Sequence, residues 1–141
     1  IGDVDGNLPQ EIELQLDILD KSFEENGAKE FIVAQNEAEA NKLWYARKNA
    51  SPAISIYGDK KLNEDISVPR SYLPKALEEI YKIGDKYNLT VPCFGHSGDG
   101  NIHVNVMVDG SNQTQLEKGH KAIEEIFKMV VSLGGTLSGE H

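Results

Sequence analysis

The sequence predicts an α+β sandwich in which helices pack on one face of a largely antiparallel sheet. Two observations carry that expectation. Stretches with helical apolar spacing are mixed with short β-prone runs, and two of those runs are joined by a glycine-rich turn as a hairpin. No GxGxxG follows a first strand, so a dinucleotide-binding unit is not indicated.

Ile1–Asn7 reads as the end of a strand entering a turn. Asn7 and Gln10 have capping-box spacing, and Pro9 sits where a missing N–H costs nothing. Ile12, Leu16, Leu19 and Phe23 then form one stripe of a helix that Gly27 ends. Phe31–Gln35 is β-prone. Asn36 and Glu39 open a second helix carrying Ala40, Leu43, Trp44 and Arg47. Pro52 and Gly58–Lys61 form an irregular polar stretch, with Lys60 and Lys61 in a solvated loop.

Asp65–Pro69 reads as a brief strand. A third helix starts at Ser71, buries Leu73, Leu77, Ile80, Tyr81 and Tyr87, and ends near Asn88. Val91–His96 and Ile102–Val108 are the hairpin strands. A last helix runs from about Asn112 to Leu133 along Leu116, Ile123, Ile126, Phe127 and Val130.

The chain has 141 residues, enough for one domain with a real core and too few for two ordinary ones. Asp and Glu total 23 against 14 Lys and Arg, a formal net charge of −9. Such a surface repels a nucleic-acid backbone, so nucleic acid is not an expected partner. No apolar run approaches the ~20 residues of a membrane span, and no signal-peptide pattern opens the chain. The single cysteine, Cys93, cannot form an internal disulfide and fits a reducing compartment. It reads as strand filler rather than as a nucleophile.

The densest chemistry lies in Phe94-Gly95-His96-Ser97-Gly98-Asp99-Gly100-Asn101-Ile102-His103-Val104-Asn105. A two-residue turn at Asp99-Gly100 would set His96 directly opposite His103 on one sheet face, with Cβ atoms ~4.5–5.5 Å apart. Alternation turns Ile102, Val104, Val106 and Val108 one way and His103, Asn105 and Met107 the other. Facing imidazoles can share one metal at about 2.0–2.1 Å from each nitrogen, and Glu140 is the candidate third ligand. The same two histidines also suit a solvated stack. Arg47, three residues after Trp44, reads either as a snorkelling surface residue or as a fork for a carboxylate. Asp65 reads as a strand-end cap or the partner of a nearby cation, the structural role being favoured.

Gly95–Asn105 resembles the GHxGDGNxHxN signature of FAD-linked oxidases of the vanillyl-alcohol-oxidase type, in their C-terminal, substrate-side domain. Leu43-Trp44-Tyr45-Ala46-Arg47 resembles the LWxxR segment of that family, and Glu64-Asp65-Ile66-Ser67-Val68-Pro69 its EDxxVP segment. Gly134–His141 is similar to the closing GGxxSGEHG, without its final glycine. The likeness is strongest toward the glycolate oxidase and D-lactate dehydrogenase branch.

The resemblance implies a ferredoxin-like cap over a flavin, acting on a small D-2-hydroxy acid. It implies His96, His103 and Glu140 as ligands of a divalent zinc, manganese or iron ion. It further implies Arg47 as the grip on the substrate carboxylate, Asn105 as an amide near its hydroxyl, and His141 as the catalytic base. FAD is expected to be bound mainly by a flavin-binding domain of the same full-length chain, absent from these 141 residues. By itself the cap is then expected to be inactive. Further oxidase subunits are expected partners, and the location cytoplasmic, peripheral to a membrane through those subunits. A different reading is a stand-alone module that binds a metal or a small acid without redox chemistry.

Overall fold

A computed structural model describes residues 1–138 and divides the chain into two compact units, residues 1–49 and 50–141. The first unit consists of two helices. Helix α1 (Pro9–Glu25) is opened by Glu11, whose carboxylate accepts the backbone N–H groups of Asn7 and Leu8 at 3.0 and 3.3 Å. The expected Asn7–Gln10 box is therefore replaced by one centred a residue later. Gly27 ends α1 as expected, at φ +81° with Ala28 N–H donating to the Phe23 carbonyl. Helix α2 (Glu37–Lys48) has the expected cap: Asn36 accepts from Glu39 N–H, and the Glu39 carboxylate accepts from Gln35 N–H.

The β-prone runs at residues 1–7 and 31–35 are not strands. Extended backbone needs a partner for its N–H and C=O groups, and β-propensity alone does not provide one. Phe31 instead returns to α1, its ring centroid 5.6 Å from that of Phe23.

The second unit opens with a short helix α3 (Ala50–Ala53) and a 3-10 turn (Ile54–Tyr57). It continues as β1 (Lys60–Ser67), α4 (Leu73–Tyr87), β2 (Cys93–His96), β3 (Asn101–Val108), α5 (Gln113–Ser132) and β4 (Thr136–Ser138). The strand order is β2-β3-β1-β4 with every pairing antiparallel. This βαββαβ arrangement is the ferredoxin-like α+β fold. β1 begins five residues earlier than expected, so Lys60 and Lys61 are strand residues paired with Val108 and Met107 rather than a loop. Exposed lysines at a strand start break the apolar alternation that would reveal it. β4 spans three residues, too few to show a period.

Register divides the chemistry. Leu62 and Ile66 of β1 share a face with Ile102, Val104, Val106 and Val108 of β3. That face meets α4 and α5 through Ala76, Ile80, Ala122, Ile126 and Val130, all essentially buried. The helices end where left-handed backbone is available: Asn88 at φ 55° closes α4 and Gly134 at φ 75° follows α5. Tyr81, expected in the core, is 48% exposed. No helix among the described residues is long and apolar enough to cross a membrane.

A polar sheet face as the candidate active site

The opposite face of the sheet carries Lys61, Asn63, Asp65 and Ser67 on β1, in register with Met107, Asn105, His103 and Asn101 on β3. Four consecutive cross-strand pairs are thus polar or contain a polar member. The other side carries Lys60 and Glu64 on β1 but is otherwise aliphatic, so this run of polar pairs needs an explanation in chemistry rather than in packing.

The hairpin register differs from the expected one. Phe94 pairs with His103 and His96 with Asn101, so the two histidines are diagonal neighbours rather than direct partners. A two-residue type I′ turn would need positive φ at both Asp99 and Gly100, and only Gly100 has it, at +73°. Ser97–Gly100 forms a four-residue loop instead, with Asp99 N–H donating to the His96 carbonyl at 3.0 Å. A shift by two residues preserves the face, so the histidines still meet. Their ring centroids are 5.6 Å apart and nearly perpendicular.

Glycines make the hairpin this tight. A Cβ at Gly95 would collide with the Asn101 carbonyl, and one at Gly100 with the Val68 carbonyl. Val68 N–H in turn donates to the Gly100 carbonyl at 2.9 Å, fastening the loop to the end of β1. Gly98 has open space around it.

His103 is partly buried, and its Nδ1 is hydrogen-bonded to Oδ1 of Asp65. The Asp65 side chain is 3% exposed, so its charge is largely withdrawn from water and its bond to the imidazole matters. The favoured structural reading of Asp65 missed this contact. The signal was there: an acidic residue adjoining the core residue Ile66 must turn to the other face of the sheet.

Asn105 is completely buried. Its Nδ2 donates to the carbonyls of Pro92 and His103 at 3.0 and 3.2 Å. Its Oδ1 has no partner among the described residues, and neither does Oδ1 of Asn101. Buried acceptors are normally satisfied, so two such oxygens on either side of His103 along β3 set this face apart from an ordinary packed one. Lys61 Nζ donates to Ser51 Oγ at 2.9 Å on the same unit. Burial pushes the Cys93 thiol up to about 12, so it stays protonated and unreactive, as expected of strand filler.

Asp65 takes up Nδ1 of His103 and leaves Nε2 as its remaining donor atom. His96 is exposed beside it. Two imidazoles in this relation fit two positions of a zinc, manganese or iron shell. No group of three or more metal-ligating side chains occurs among the described residues. Glu140, the expected third ligand, and His141, the expected base, lie outside the described residues. Arg47 sits on α2 in the first unit, partly buried in the last turn.

Known proteins resemble this chain along much of its length. The chain is 39% identical over 108 residues to glycolate oxidase subunit GlcD of Bacillus subtilis, covering 77% of this chain and 23% of that protein. Against the Escherichia coli K12 subunit of the same name the figures are 33% over 138 residues, 98% and 27%. A probable mitochondrial D-lactate dehydrogenase of Danio rerio is 30% identical over 132 residues, 92% of this chain and 27% of that one. The chain therefore spans about a quarter of the length of these curated relatives. Residues 2–141 match the family described as FAD linked oxidases, C-terminal domain. Because that match covers nearly every residue rather than an isolated motif, this chain belongs to the FAD-linked oxidases, as a C-terminal domain of that family.

Proposed function

We infer that this domain binds the substrate of a flavin-dependent enzyme that oxidises a small D-2-hydroxy acid, of the glycolate or D-lactate type, to the 2-oxo acid. The observation that carries the reading is the polar sheet face, where the buried Asn105 offers an unpartnered Oδ1 beside the Asp65–His103 pair. A 2-hydroxyl supplies the donor that this oxygen lacks. The names of the relatives point to the same substrate class.

Each residue then has a task. The Arg47 guanidinium holds the substrate carboxylate through two parallel N–H donors. Asn105 Oδ1 accepts from the 2-hydroxyl as the acid binds, and the O–H turns from that oxygen to the base when the reaction begins. His141 takes that proton as general base while the C–O bond becomes C=O. A divalent ion held by His96, His103 and Glu140 would supply Lewis-acid polarisation of the hydroxyl oxygen. FAD, when bound, supplies the acceptor for the hydride that leaves Cα with its electron pair. The flavin-binding part of the protein is the required partner, and further oxidase subunits are partners in turn.

A panel of glycolate, D-lactate, L-lactate and D-2-hydroxyglutarate, scored together with the metal content of the same sample, tests this reading. His103→Ala in the intact protein is expected to lose metal and to lower kcat/KM about 100-fold, or about 2.7 kcal/mol. Unchanged metal content and turnover in that variant would remove the metal from the scheme.

A further inference from the structure

We propose that Asp65 is a positioning residue that locks the His103 imidazole with its Nδ1–H toward the Asp65 carboxylate and its Nε2 lone pair toward the polar face. The proposal rests on the proposed function for what Nε2 then does, and on this structure alone for the orientation.

The backbone first brings the two residues together. Asp65 and His103 are cross-strand partners of β1 and β3, so their side chains leave the same face of the sheet side by side. Asp65 Oδ1 is hydrogen-bonded to His103 Nδ1. A carboxylate oxygen is an acceptor, so the hydrogen of this bond is assigned to Nδ1. A neutral imidazole bears a single N–H, and fixing it at Nδ1 leaves Nε2 as a bare electron pair. The surroundings keep the ring in place. The Phe94 ring lies against His103 with centroids 5.4 Å apart, and His96 meets it edge-on at 5.6 Å.

Asp65 belongs to the central strand β1, paired on both sides by β3 and β4, so the carboxylate sits on a rigid support. A histidine oriented this way presents one defined donor atom to a ligand, without the cost of choosing a tautomer on binding.

The test has two arms. In the metal-free protein with 15N-labelled histidine, long-range 1H–15N correlation near neutral pH is expected to show His103 protonated at Nδ1 and bare at Nε2. A ring protonated at Nε2 overturns the proposal. In the second arm, Zn2+ alone is titrated against a chelating dye. Asp65→Asn is expected to weaken binding about 10–100-fold, and Asp65→Ala at least as much. Unchanged Zn2+ affinity in a folded Asp65→Asn protein also overturns it. If the wild type shows the expected tautomer yet holds no Zn2+, the orientation stands and the metal reading of the proposed function falls. The tautomer measurement needs no substitution, so variants that fail to fold leave it decisive.

Discussion

Asn105 engages the fold through one side-chain atom and leaves the other without a partner among the described residues. Its Nδ2 ties β3 to the Pro92 carbonyl, and its Oδ1 is the acceptor proposed to meet the substrate hydroxyl. Asn105→Ala is therefore expected to cost about 1–3 kcal/mol of stability, measured as a lower denaturant midpoint, because the amide donor to Pro92 is lost. Arg47→Lys keeps the charge and removes the fork. It is expected to leave the fold intact and to reduce kcat/KM for hydroxy acids about 10–100-fold, mostly through KM. A variant with wild-type KM would return Arg47 to the snorkelling role. The resemblance singled these positions out, since by residue type alone the two histidines suit a solvated stack equally well and Arg47 a snorkelling surface residue. The partner of His103 was not legible, because finding Asp65 requires knowing which strand lies beside β3 and in which register.

At the scale of elements, the hairpin depends on two of its three turn-region glycines. Gly100→Ala places a Cβ against the Val68 carbonyl and in a left-handed conformation, so it is expected to lower the thermal midpoint severely. Gly98→Ala, with open space around it, is expected to shift the midpoint far less. Equal shifts would mean that the loop is held differently. The two helices are tied by Glu125, which accepts from Lys86 Nζ and from Tyr87 Oη, both at 2.6 Å. Those bonds, the Lys86 one first, hold the Glu125 carboxyl below its usual range. Its contribution is thus present above the unfolded carboxylate pKa of about 4.3 and is lost as pH falls through the lowered folded value. The difference in thermal midpoint between wild type and Glu125→Gln is expected to shrink over that acidic range, and a constant difference would contradict the assignment. Long helices were readable from their 3.6-residue stripes and, for α2, from the cap at Asn36. The hairpin register was not, because Asp-Gly signals a turn without stating its length. The N-terminal β-prone runs misled because propensity carries no information about a pairing partner.

At the scale of the whole molecule, the sheet separates an aliphatic side that makes the fold from a polar side that makes the site. That separation follows from period-two alternation and survived the two-residue shift of the hairpin, since an even shift returns every side chain to its own face. Family membership and the polar face are the grounds on which we propose the oxidation of a hydroxy acid next to a flavin. The measurement that tests this most directly is anaerobic mixing of the FAD-loaded protein with D-lactate or glycolate while the flavin absorbance is followed. The expected result is bleaching by one of these acids and not by L-lactate, with one 2-oxo acid formed per flavin reduced. A flavin that dithionite reduces but that glycolate, D-lactate and D-2-hydroxyglutarate all leave oxidised would contradict the account.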